Sequence, residues 1–327
     1  MLRLLQNIKP TSALWVVFFA VALRTPYVFL FPETTPACDS PLFPAFFTWA
    51  GSHTLWNNLL ATFLVCFAAL LLNRICINQD VIYTHTYLPA WFYIIISSMV
   101  PEQLNLHPLM FSNILILFGF NFLFSLFSYE GPSILIYLTA LCFGAAAMFR
   151  LQLLVLLPFM LGAIILLKRI TPKDLLATVL GISMPVYLLL GLLYVFGFSP
   201  AQAFSIQDIQ TTNKAHIALK LWPFALVFLL VVLSFFKVFA NFFKNNIRTR
   251  RVNQVLIFYL AYGLVFLLLF RTCNPLTDMC MVFVPTAVFV AYLLIGHKHT
   301  RLKNLANLLL LASAIGSLYG SYIMQRL

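Results

Sequence analysis

Six polar residues matter because of where they fall in a very apolar chain: Arg24, Asp39, Arg150, Gln152, Lys214 and Arg271. Each sits in or beside a connection that the charge pattern places on one common side. Arginine suits phosphate because its planar guanidinium offers forked N–H donors. A carboxylate held in a water-filled crevice can take a proton from a hydroxyl. Together they suggest group transfer, with Asp39 as the base. Arg24, Arg150, Gln152, Lys214 and Arg271 would then hold a phosphate and stabilise the leaving charge.

Each of these residues also has a plainer reading. Arg24 lies in the outer half of the first apolar run, where a guanidinium is costly unless it snorkels or pairs. Facing outward, it snorkels past Pro32 to the headgroups; facing inward, it binds an anion or Asp39. Asp39, in Cys38-Asp-Ser-Pro41, is either a solvated loop carboxylate or a base. Arg150 interrupts the run Ala145-Ala-Ala-Met-Phe-Arg-Leu-Gln152 where a bare turn would carry Gly, Pro or Asn. It is either a headgroup anchor or a phosphate ligand. Arg271 and Asp278 flank one short connection and suit each other as an ion pair. Glu33 is another acid on the same outer side.

The elements that must position these residues are apolar helices. The chain has 327 residues, 62% hydrophobic and 9% charged, with mean hydropathy +0.97. That excludes an ordinary soluble domain. A bilayer-spanning helix needs roughly 20 mostly apolar residues. Eleven segments qualify as candidates: 11–31, 56–76, 87–101, 107–127, 132–149, 151–167, 174–197, 221–241, 254–270, 279–295 and 305–324. The third is short and the fourth to sixth are crowded, so ten or twelve spans are alternative counts. The expected fold is all-α, a polytopic transmembrane bundle forming a single integral domain over residues 1–327.

The net charge of +12 does not indicate nucleic-acid binding, because the basic residues flank apolar runs. With a cytoplasmic N-terminus, 14 of the 20 Lys and Arg fall inside and 6 outside. The opposite orientation would translocate the cluster Lys244 to Arg251, against the positive-inside bias. The first run lacks a small-residue cleavage site and reads as an uncleaved anchor.

Two outer connections are long. Residues 32–55 and 199–220 each carry a stretch suited to an interfacial helix. Trp56 and Trp222 fit an outer aromatic belt. Pro89, Pro108, Pro158, Pro185 and Pro285 predict kinks. Ala312, Gly316 and Gly320 allow close helix packing, within the chain or, through Gly316 and Gly320, against a protein partner. Cys66 and Cys142 read as small core residues. Cys38, Cys273 and Cys280 fall outside, where a disulfide can form. Asp80 and Glu130 read as turn residues. His53 and His107 are isolated and suit local hydrogen bonds. No spacing suggests a metal, and no glycine-rich phosphate loop or nucleophile elbow occurs. No cofactor is expected. The absence of acids and histidines at span centres weighs against a proton-driven transporter.

The stretches His107-Pro-Leu-Met-Phe-Ser-Asn113 and Arg169-Ile-Thr-Pro-Lys-Asp174, the latter continuing to Tyr187, resemble an uncharacterised family of polytopic inner-membrane proteins of Bacteroidota. That resemblance implies an inner-membrane location and no activity. More distantly, the layout is similar to the GT-C superfamily of glycosyltransferases: cytoplasmic N-terminus, many spans, an acid in the first outer loop (here Asp39) and a basic break between spans (here Arg150). It implies a polyprenyl-phosphate-linked sugar as substrate, handled at the outer, periplasmic face. The alternative is a non-catalytic subunit of an envelope complex for secretion or for glycan or lipoprotein handling. Membrane lipids are partners under either reading.

Overall fold

The computed structural model describes residues 10–30, 49, 53–82, 84, 86–127, 132–168, 170–195, 222–269, 278–295 and 300–326. Among them are eleven α-helices: α1 Pro10–Leu30, α2 Thr54–Asn78, α3 Leu88–Ser98, α4 Pro108–Ser125, α5 Pro132–Phe149, α6 Leu156–Leu167, α7 Pro172–Val195, α8 Trp222–Ala240, α9 Ile247–Leu269, α10 Cys280–Ile295 and α11 Thr300–Arg326. Each of the eleven apolar segments contributes one helix, and the described residues contain no strand. Four helices, α2, α4, α7 and α8, are long and apolar enough to cross a membrane. The apolar stretches of α1, α3, α5, α6 and α10 are shorter.

The contacts give the direction of each helix. Ser133 meets Asp174 and Tyr137 meets Gly181, so α5 and α7 run parallel. Phe224 pairs with Phe283 and Ser234 with Phe289, so α8 and α10 do too. Ser112 meets Ala146 and Gly119 meets Phe143, so α4 and α5 are antiparallel. Arg251 meets Leu166 and Tyr262 meets Val155, so α6 and α9 are antiparallel as well. Consecutive helices alternate up and down, as the alternating charge requires. Arg24, Gln103, His107, Arg150 and Asp278 gather at one end, the outer end of the charge assignment. Gln79, Asp80, Lys168, Asp174 and Arg248 gather at the other.

Two short helices form the axis. All eleven residues of α3 are buried, as is nearly all of α10. The longer helices wrap around this pair and turn large apolar residues outward. On α7, Leu175, Leu176, Val179, Leu180, Tyr187 and Leu188 are exposed. Inside lie Arg24, Asn57, Asn58, Asn73, Gln103 and Asn113. A soluble protein rarely exposes so much contiguous apolar surface.

The α5–α7 contact is the tightest. Gly181 on α7 faces Tyr137 and Ala140 on α5, and Gly144 on α5 faces Ile182 and Pro185 on α7. A Cβ added at Gly181 would stand 2.6 Å from both the Ala140 methyl and the Tyr137 carbonyl. Only glycine lets the two backbones approach this closely.

The prolines divide by role. Pro89 and Pro108 begin α3 and α4 instead of kinking them. At the first turn, proline loses an N–H that had no partner anyway. Pro185 and Pro285 lie inside helices as expected, and Pro26 joins them. Pro158 is in the first turn of α6. A Cβ added at Gly316 would stand 3.2 Å from the Trp222 ring, so that position serves packing within the chain. Cys280 is a free, buried thiol, which removes it from the expected disulfide; Cys66, Cys76 and Cys142 are free as well. Cys38, Cys273, Glu130 and Gly320's surroundings lie outside the description, as do nearly all of loop 32–55 and all of loop 199–220.

Candidate functional site at the outer end

The site begins with one face of α1. Ser12, Val16, Ala20 and Arg24 are all buried and recur every four residues, whereas Leu14, Trp15 and Phe18 point outward. This spacing lines up one helix face. It carries Arg24 into the bundle, where its exposure is 0%. Arg24 therefore does not snorkel.

What it meets is a break between helices. Eleven residues give α3 a length of about 16 Å, well under the roughly 30 Å of a bilayer core. Residues Pro101–Leu104 then form a single 3-10 turn before His107 caps α4. Buried non-helical backbone needs polar partners. Arg24 Nη2 donates to the Gln103 carbonyl. Asn58 Nδ2 donates to the Leu104 carbonyl at 3.1 Å. The Leu106 N–H donates to Asn57 Oδ1 at 2.6 Å. His107 Nδ1 accepts the Leu109 N–H at 3.3 Å, a local bond of the expected kind. Side chains of α1 and α2 thus hold the turn.

The accounting leaves a remainder. Arg24 Nε and Nη1 make no hydrogen bond, and neither does His107 Nε2. Among the described residues Arg24 is in no ion pair. Burying a charge with unmet donors is costly unless a partner arrives.

Arg150 is different. It precedes the 3-10 turn Leu151–Val155 that joins α5 to α6, and its carbonyl accepts the Leu153 N–H. Its Nε donates to Gln152 Oε1 at 2.8 Å, and its two terminal nitrogens donate to the two oxygens of Asp278. The side-chain exposures are 14% for Arg150 and 1% for Asp278. Asp278 thus pairs with Arg150 across the bundle, a partner that the sequence does not suggest; the expected partnership with Arg271 falls outside the described residues. Arg150 is held by Asp278 and by Gln152 Oε1. It does not face lipid as a simple headgroup anchor.

The start of α10 and the residues just before it link the two arginines. Asp278 holds Arg150; two residues on, the Cys280 thiol faces Tyr93, Gln103 and Arg24. Asn113 Nδ2 donates to the Tyr93 hydroxyl in the same core. Asp39, Lys214, Arg271 and Glu33 lie outside the described residues, so their positions relative to Arg24 are not described. Among the described residues, no three His, Cys, Asp or Glu side chains gather as a metal site would require. A pocket among Leu72, Cys76, Leu117, Phe120 and Val284 is lined by apolar residues and lies toward the inner end, away from this chemistry.

The sequence reading did not single out Asn57, Asn58, Gln103 or Cys280 as site residues. The four-residue stripe Ser12–Val16–Ala20–Arg24 carried a signal for Arg24's inward face; Gln103 carried none. The chain matches no family model, no curated protein and no solved structure.

Proposed function

We propose that the chain is a multi-pass protein of the bacterial inner membrane, with its N-terminus in the cytoplasm and GT-C-like in arrangement. It transfers a sugar from a polyprenyl-phosphate carrier at the outer face. The observation that carries this reading is Arg24: a cation at the outer end, wholly buried, with two N–H donors unmet. An anionic headgroup supplies what those donors lack. The large apolar residues on the exterior support the membrane setting.

In this reading Asp39 accepts the proton of an acceptor hydroxyl. The hydroxyl oxygen bonds to the sugar's anomeric carbon as the carbon–oxygen bond to phosphate breaks. Polyprenyl phosphate leaves with the bonding electrons, and Arg24 stabilises its charge. Lys214 and Arg271 are further phosphate contacts, whereas Arg150, Gln152 and Asp278 form a fixed wall.

Membranes carrying Asp39→Asn at wild-type protein level should lose sugar transfer from a polyprenyl-phosphate donor by at least about a hundredfold. Undiminished transfer would remove Asp39 from the mechanism. A stoichiometric partner retained through gentle extraction, together with absent transfer, would favour the envelope-subunit alternative.

A further inference from the structure

Between Asp208 and Asp278 the sequence has no acid, yet the stretch 237–251 holds five cations. Lys237 sits on the carbonyls of α10. The other four, Lys244, Arg248, Arg250 and Arg251, lie in the connection from α8 to α9 and the first turns of α9. Helix stability does not account for them. Cations at a helix N-terminus stand at the positive end of its dipole, and α9 has no acid in its first turn. Nor does ion pairing, because among the described residues none of the four is in an ion pair. Asp80 meets this turn through its backbone carbonyl, which accepts from Thr249.

Three of the guanidinium groups are fixed by neutral partners. Arg248 donates to Gln79 Oε1. Arg250 Nε donates to the Asn245 carbonyl at 3.0 Å, and the group stands 5.7 Å from the centre of the Phe242 ring. Arg251, exposed, donates from Nη1 to the Leu166 carbonyl at 3.0 Å. These bonds set positions but leave the charges unmatched. Lys244 beside them is exposed. So are Phe243, at 85%, and Ile247, at 64%. Large apolar side chains interleaved with unmatched cations suit a layer of anionic headgroups with hydrocarbon just beyond it. A soluble polyanion would satisfy the cations and leave Ile247 in water.

We propose that the connection from α8 to α9, through Phe243, Lys244, Arg250 and Arg251, is a binding surface for anionic phospholipid headgroups of the inner leaflet. It rests on the inner-membrane setting and orientation proposed above and not on sugar transfer.

The full-length protein, delipidated in maltoside micelles, can be offered equal amounts of phosphatidylglycerol and phosphatidylcholine of one chain length, and the bound lipids counted by native mass spectrometry. Wild type should retain phosphatidylglycerol over phosphatidylcholine by at least about tenfold, and added salt should weaken the preference. Lys244→Gln/Arg250→Gln/Arg251→Gln should melt like wild type and lose most of that preference. If it melts early, Lys244→Gln alone carries the test, with about a fivefold loss. Lys168→Gln removes a cation already matched by Asp174 and should change the preference by less than about twofold. No preference in wild type overturns the proposal, as does a preference unchanged in the folded variants or lost equally in Lys168→Gln. Binding of a single-stranded oligonucleotide with both lipids retained equally overturns it in favour of nucleic acid. Release of the protein from membranes by alkaline extraction would defeat the membrane setting itself; absent lipid preference in a protein that stays in the membrane pellet defeats this surface alone.

Discussion

The two ends of the bundle use positive charge in opposite ways. At the outer end Arg24 and Arg150 turn inward, one onto a helix break and the other onto a buried carboxylate. At the inner end the cations serve helix C-termini. Lys237 Nζ donates to the carbonyls of Tyr292 at 3.0 Å and Leu293 at 2.7 Å, in the last turn of α10. Lys303 Nζ donates to the Ile295 carbonyl at 3.2 Å, and Arg251 to Leu166, near the end of α6, at 3.0 Å. Arg248 binds Gln79 just past α2, and Thr249 donates to the Asp80 carbonyl at 3.1 Å. The even-numbered helices all end at this face, where their last carbonyls lack partners and the dipole is negative. Three of the basic residues that the charge pattern assigns inside, Lys237, Arg251 and Lys303, therefore also cap helix C-termini, two of them on helices other than their own neighbours in the chain. The outer arginines have no such duty, and their burial calls for another account.

That contrast can be broken at three points of decreasing size. Asp278→Asn leaves Arg150 without a counter-ion in a largely buried setting and should cost about 3 kcal/mol. Unfolding in mixed micelles would read it, and the double variant Arg150→Gln/Asp278→Asn should recover most of the loss. An Asp278→Asn protein as stable as wild type would mean that the outer charges are no more committed than the inner ones. Next, Lys237→Met keeps the aliphatic stem but uncaps two carbonyls of α10. About 1 kcal/mol is expected, with amide exchange rising first in the last turn of α10. Exchange unchanged there would detach the inner cations from capping. Smallest is Lys168→Met. Its partner Asp174, 3.3 Å away, also accepts from the Thr171 N–H and the Ser133 hydroxyl. A partly exposed pair of this kind contributes under about 0.5 kcal/mol, so a loss beyond 1 kcal/mol would make the inner end as dependent on ion pairing as the outer.

Helix positions were legible in the sequence because apolar runs and flanking charges are local properties. The eleven segments and the alternation of direction both come from them. Rotation about a helix axis is less local. Arg24's two orientations could be separated only by weighing which of its neighbours were small, and Ser12, Val16 and Ala20 were. Long-range pairing was beyond reach. Arg150 and Asp278 are 128 positions apart, and nothing in either surrounding stretch names the other. The break after α3 was hidden for a different reason. Pro101 and Pro108 permit a helix start as readily as a kink, and only the brevity of segment 87–101 hinted that the chain stops partway. Asp80 shows what remains readable in a turn. Its φ of 49° is left-handed, a conformation that aspartate tolerates better than most residues.

The glycine-lined crossing of α5 and α7 has a consequence for how the protein is made. On the membrane reading proposed above, helices associate through close fit and not through exclusion of water, and this fit needs only α5 and α7 to be present. The two are neighbours in the chain, separated by the short α6, so their docking does not wait for α8 to α11 to be synthesised. A nascent chain halted after Val195 should already hold the pair together. The first half of the protein then has a settled scaffold before the second half leaves the ribosome.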